Sequence, residues 1–116
     1  MAEKRVLFTF NHAPHGSIYY NEGLRAVVGV TSGIDEHTVD VVYLGDGVYF
    51  TLRDVDRADS ARYIGTLAKN GYRLKVEKES LEARDIGAAE LAGDVEVISR
   101  AEVLELIKKA DLTMDF

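Results

Sequence analysis

Short apolar runs alternate with helical spacings along the whole chain. Val6–Phe10 is a mostly apolar run stopped by Asn11-His12-Ala13-Pro14-His15-Gly16, the pattern of a buried strand feeding a loop. Ser17 is placed to cap a helix whose face carries Tyr20, Leu24, Val27 and Val28, with Gly33 as its stop. Val39–Leu44 is a second β-rich run, broken at Gly45-Asp46-Gly47; the following Val48–Leu52 fits either a strand or one helical turn. Asp56 then caps a helix with Ala61, Ile64 and Ala68 on one face and Gly71 at its end. Tyr72–Val76 is a third, weaker strand, followed by a short helix over Ser80–Arg84 and a turn over Ala88–Ala92. Val95–Ile98 is a fourth strand. Ser99 and Glu102 form an S-x-x-E capping box, opening a helix with Val103, Leu104 and Ile107 as its apolar face. Leu112, Met114 and Phe116 alternate with Thr113 and Asp115, as in a half-exposed last strand.

This alternation predicts an α/β fold: a three-layer α/β/α sandwich with about five mainly parallel strands, in one domain spanning residues 1–116. Crossovers should be right-handed, but the pattern does not give the strand order. In such a sheet, ligands bind beyond the carboxyl ends of the strands. The loop after the first strand, the Gly45–Tyr49 loop and the end of the third strand should therefore meet. The candidate pocket they form comprises His12, His15, Gly16, Asp46, Gly47 and Glu77.

Composition narrows the chemistry. None of the 116 residues is cysteine, which removes disulfides, zinc–thiolate sites and every thiolate nucleophile or persulfide carrier made from this chain. The formal charge is −6, so nucleic acid is not expected to bind through bulk electrostatics. No apolar run suits a signal peptide or a membrane span, and a cytoplasmic protein is expected.

The candidate residues support several readings. His12 and His15 can share a metal with Asp46, or each can simply bond loop backbone. His15 can serve as a general acid or base, but no nucleophile accompanies it. Pro14-His15-Gly16-Ser17 is a turn glycine and a helix cap rather than a phosphate loop, since it lacks both the G-K-[ST] and the G-x-G-x-x-G patterns. Gly45-Asp46-Gly47 reads as a turn, with Asp46 bonding backbone of the neighbouring loop. Lys75, Lys78, Lys108, Lys109 and the arginines read as solvated surface. Tyr19-Tyr20 and Tyr49-Phe50 can stack on a ligand, but subunit-interface or core packing is the commoner use of such rings; an interface is expected, with packing under their own loops as the alternative. No catalytic residue, metal or cofactor is assigned.

Phe8-Thr9-Phe10-Asn11-His12-Ala13-Pro14-His15-Gly16, Glu22-Gly23-Leu24 and Gly45-Asp46-Gly47-Val48-Tyr49 together resemble the DsrE/DsrF-like sulfur-relay family, in particular its TusC/DsrF-like branch. The A-P-H-G, E-G-L and D-G-V-[FY] elements stand in that branch's order, within residues 4–52. Val76–Arg84 resembles the family segment V-C-x-x-S-L-x-x-R, and Ala110–Phe116 resembles the branch's last strand. The resemblance implies a trimeric or hexameric assembly, formed by this chain alone or as a hetero-complex with related subunits. It also implies an accessory role, because Glu77 occupies the position of the family cysteine and a carboxylate cannot hold a persulfide. Two other functions compete with this one. The first is a homo-oligomeric protein binding a small ligand or metal at the strand ends. The second is an enzyme using Glu77, Asp46 and His15.

Overall fold

The computed structural model describes residues 4–12, 19–31, 37–54, 61–69 and 71–116, the side chains of residues 19–21 excepted. His15, Gly16, the Ser17 and Asp56 caps, the Gly33 stop and the Tyr19-Tyr20 rings lie outside this description. Five strands, β1 (Arg5–Phe10), β2 (Thr38–Tyr43), β3 (Leu74–Glu77), β4 (Val95–Ile98) and β5 (Leu112–Asp115), form one sheet in the order β4-β3-β2-β1-β5. Every adjacent pair is parallel. The helices are α1 (Tyr19–Thr31), α2 (Ala61–Lys69), α3 (Lys78–Ala83) and α4 (Arg100–Lys109).

The order explains the layers. The chain steps from β1 to β4 in one direction, then returns across the sheet to place β5 beside β1. Crossovers of one hand put helices on opposite faces when the direction reverses. One face accordingly carries α1, α2, α3 and a 3₁₀ helix, Gly45–Thr51. Leu24, Val27, Leu67, Leu81, Val48 and Phe50 pack there on Val6, Phe8, Phe10, Val39, Val41, Tyr43, Leu74 and Val76. The other face is covered by α4, whose Val103 and Leu106, with Ala110 just beyond its end, meet Leu7, Val42 and Ile98.

Beyond the reach of α4 this second face turns polar. Asp40, almost buried, accepts from Arg5 Nε at 3.0 Å and from Lys75 Nζ at 3.1 Å. A buried carboxylate is tolerable only when paired in this way. Lys75 is therefore not the solvated surface lysine its sequence context suggests.

Three helix and loop expectations need correction. The inward face of α4 is Val103 and Leu106, continued by Ala110 at its cap, while Leu104 and Ile107 are 53% and 44% exposed. In α2 the buried residue is Leu67, with Ile64 partly buried and Ala61 and Ala68 exposed. Both helices contain two overlapping apolar spacings; the packing turns Ile64 and Leu67 inward in α2, and Val103 and Leu106 inward in α4. Gly45-Asp46-Gly47 is not a bare turn but the first part of the 3₁₀ helix, which carries the ambiguous Val48–Thr51 stretch. That helix buries Phe50 within 6.3 Å of the Tyr43 ring, so Phe50 belongs to the core and only Tyr49 faces outward.

β5 is tied closely to β1. Phe116 N–H donates to Thr9 O at 2.8 Å, Asn11 N–H donates to Phe116 O at 3.1 Å, and Arg5 N–H donates to Asp111 Oδ2 at 2.8 Å. The Phe116 ring stacks on Phe8 and Phe10. Leu112 and Met114, at the sheet's edge, stay exposed. No described helix is long and apolar enough to cross a membrane.

Candidate functional site

β1 and β2 pair in register through Phe10 and Tyr43, so the loops that follow them leave the same end of the sheet. Gly47 is fixed there by close approach. A Cβ built on it would lie 1.8 Å from Phe10 O and 2.6 Å from Phe10 C. Gly45 has φ +56°, a conformation costly for a residue with a side chain, and it faces Asn11 O. Leu44 N–H donates to Phe10 O at 3.1 Å, and Gly47 N–H donates to Leu44 O at 3.0 Å. The Gly45–Thr51 helix is thus seated directly on the end of β1.

β3 passes into α3 without a loop, and Glu77 stands at the junction with extended backbone. Its side chain makes no cap bond to α3. It turns instead toward α4 and is 6% exposed. β3 and β4 pair through Glu77 and Ile98, so Arg100, two residues further on, begins α4 beside it. Ser99 caps that helix through the expected box, accepting from Glu102 N–H at 3.2 Å. Arg100 Nε donates to Glu77 Oε2 at 3.2 Å, and a terminal nitrogen donates to Oε1 at 3.0 Å. Two parallel donors from one guanidinium form the strong, directional version of a carboxylate pair.

Ser80, one turn into α3, donates its hydroxyl to Glu77 Oε1 at 2.5 Å and accepts from Gly45 N–H at 3.0 Å. Arg84, one turn later, donates to Ser80 O and, from two nitrogens at 3.2 and 2.9 Å, to Asp46 Oδ1. Asp46 therefore pairs with the side chain of Arg84, the residue that caps the end of α3, rather than with loop backbone as expected. The chain Gly45–Ser80–Glu77–Arg100 and the pair Asp46–Arg84 bind the ends of β2, β3 and β4 together.

The structure brings Asp46, Gly47 and Glu77 into this cluster. His12 is exposed at the end of β1, and the neighbouring Asn11 side chain is held by Asp115. No group of three or more metal-ligating side chains gathers among the described residues. The reading of single residues missed Ser80, Arg84 and Arg100. The first two lay within the V-C-x-x-S-L-x-x-R resemblance and carried a signal there. Arg100 carried none, because its role requires knowing that β4 lies beside β3. Two open grooves flank the cluster without being lined by Glu77. One, of about 540 Å³, runs between α4 and the β3–β4 edge past Lys75, Glu96, Glu102 and Lys109. The other, of about 560 Å³, lies beside Arg53, Arg84 and Glu90.

Burial alone would push the Glu77 carboxyl up. The hydrogen bonds from Arg100 and Ser80, with the charge of Arg100, outweigh it and hold the group below its ordinary 4.5. Glu77 raises the Arg100 guanidinium in return. A carboxyl with a depressed folded pKa contributes stability that is complete above its unfolded pKa and is lost as pH falls through the folded value. The Tm difference between the wild type and Glu77→Gln should therefore be largest near neutrality and shrink below pH 4.5. Thermal melts across that range test this, and a difference independent of pH would mean that the charge of Glu77 contributes nothing.

The fold and site define a thiol-free, parallel five-stranded α/β domain with a side-chain network closing the strand ends. The same fold is seen in the ychN protein from E. coli, with a TM-score of 0.82 at 20% identity over 97% of this chain and 99% of that one. It recurs in MTH1491 of Methanobacterium thermoautotrophicum, a protein of unknown function, with a TM-score of 0.80 at 16% identity over 98% and 100% of the two chains. The profile of the DsrE/DsrF-like family matches residues 4–116, and the chain belongs to that family. Among curated relatives, it is 28% identical to the protein TusC homolog of Pasteurella multocida (strain Pm70) over 97% of this chain and 99% of that protein. Over a shorter stretch, 44% of this chain and 41% of the other, it is 45% identical to protein TusC of Klebsiella pneumoniae (strain 342).

Proposed function

We propose that this chain is an accessory subunit of a sulfur-relay assembly of DsrE/DsrF-like proteins: it helps to build the assembly and carries no sulfur itself. The observation that carries this reading is the absence of cysteine from the whole chain, joined to the state of Glu77. A persulfide forms on a thiolate, and the residue that the V-C-x-x-S-L-x-x-R resemblance puts at the family cysteine's position, Glu77, is a carboxylate engaged by Arg100 and Ser80. The TusC-named relatives support the relay assignment. Exposed Leu104, Ile107, Leu112, Met114 and Tyr49 supply apolar area for subunit contacts, in a trimer or hexamer of this chain or in a complex with cysteine-bearing relatives.

Two measurements test the reading. Incubated with a radiolabelled persulfide donor, the isolated protein should stay unlabelled; stable stoichiometric labelling would reject the accessory role. Light scattering should give a trimeric or hexameric mass for the protein alone, or for its mixture with a cysteine-bearing DsrE-like chain from the same genome. A monomer in both samples would sink the assembly role.

A further inference from the structure

At the end of the sheet opposite the Glu77 cluster, Arg5, Thr38 and Leu74 open β1, β2 and β3. A groove of about 490 Å³ runs over this end, and its charged lining is Arg5, Asp40, Arg73, Lys75 and Glu96. The almost buried carboxylate of Asp40 takes Arg5 Nε on one oxygen and Lys75 Nζ on the other. One carboxylate is thus shared between two cations, which holds them side by side and leaves a positive charge in excess. It also leaves donors over. Arg5 spends only Nε on Asp40, and its two terminal nitrogens have no partner among the described residues. Lys75 spends one of its three ammonium protons. Arg73, directly before β3, has no side-chain hydrogen bond or ion pair among the described residues. Glu96 pairs in register with Lys75 and makes no ion pair there; it stands on the edge strand β4, three strands from Arg5.

We propose that this groove binds a small molecule through a phosphate or sulfate group seated between Arg5, Lys75 and Arg73. Asp40 is the positioning residue: it orients two of the three cations and stays in place when the ligand arrives. Guanidinium forks match the oxygens of these groups, and charge-assisted hydrogen bonds of this kind are the strong ones. The groove has the volume of a small-molecule site and exceeds what a bare inorganic ion fills, so the ligand carries an organic part beyond its anionic group. Glu96 repels an anion and marks where the positive stretch ends. The site lies away from Glu77, and the proposal does not depend on the accessory-subunit reading.

The probes are inorganic phosphate and inorganic sulfate, titrated into the full chain by calorimetry near neutral pH, with sodium chloride at matched ionic strength as the reference. At least one of the two should bind saturably at one site per chain, and chloride should not. Tighter phosphate assigns a phosphate ester as the ligand; tighter sulfate assigns a sulfate ester. Arg73→Gln removes an exposed side chain without a partner, so it should melt with the wild type in chloride. The same variant should weaken binding of the anion about tenfold, the loss of one hydrogen bond to a charged group. Glu96→Gln removes the repelling charge and should tighten binding. Saturable binding of neither anion, binding unchanged by Arg73→Gln, or binding weakened by Glu96→Gln would overturn the proposal. Neither variant touches the Glu77 cluster, so such a failure would leave the accessory-subunit reading standing.

Discussion

Gly47→Ala should be among the most damaging single-methyl substitutions in this protein. The added Cβ would meet Phe10 O at 1.8 Å and Phe10 C at 2.6 Å, both backbone atoms, so no side chain can swing aside to make room. The 3₁₀ helix must lift from the end of β1. That strains the Leu44 N–H bond to Phe10 O and unseats Val48 and Phe50, which are 0% and 5% exposed. Overpacking of a well-filled site costs about 1–3 kcal/mol and occasionally more, and a clash against fixed backbone belongs at the top of that range. The expected fall in Tm is on the order of 10 °C, taking roughly 4 °C per kcal/mol for a domain of this size. Gly65→Ala is the matched control. Gly65 lies within α2, and a Cβ added there would have nothing within 4 Å, so alanine should stabilise by about 0.5–1 kcal/mol. If Gly47→Ala melted within a degree or two of wild type, the close seating of the two loops would be wrong.

Glu77→Cys should convert a chain without thiols into one with a single, acidified thiol. Ser80 and Arg100 stabilise negative charge at this position, and the same groups would favour a thiolate over its neutral form. The shorter side chain draws the charge back from the guanidinium, so the effect should be weaker than on the carboxylate. The direction is nevertheless clear: a thiol pKa below the free value of about 8.5. Because the natural chain has no cysteine, thiolate absorbance follows this one group without interference from another thiol. The same titration in Glu77→Cys/Arg100→Gln should move back toward about 8.5. A thiol that titrates at or above the free value in both variants would show that the cluster does not favour an anion at this point.

Much of the architecture was legible because the hydrophobic pattern reports local burial. Val6–Phe10 read as a buried strand and Val39–Leu44 as a β-rich run, and β1 and β2 lie inside the sheet with neighbours on both sides. Ser99 read as a cap and is one. The pattern was less informative where two spacings competed, as with Leu104 against Leu106 in α4. It was silent where a role depends on which strands become neighbours. Asp40 looks like an ordinary polar residue until Arg5 and Lys75 arrive on either side of it. Arg100 looks like surface charge until β4 is laid beside β3. Asp46 and Gly47 were expected in the loop after the second strand and Glu77 at the end of the third, whereas their partners Arg84 and Arg100 come from other segments of the chain.

The position of β5 has a consequence for how the protein is made. A ribosome delivers Arg5–Phe10 about a hundred residues before Leu112–Asp115, yet these segments lie side by side in the hydrogen-bonded sheet. During synthesis β1 can acquire β2 as a neighbour early, but its opposite edge stays open until β5 has emerged. Joining two segments so far apart carries a loop-closure cost that grows only slowly with length, so the wait, rather than the entropy, is the main burden. In that interval Val6, Leu7 and Phe8 lie on an unpaired, strongly apolar edge, the kind of surface that recruits other chains. β5 therefore seals that edge of β1, and a translation product that stops before Leu112 leaves it open to other chains.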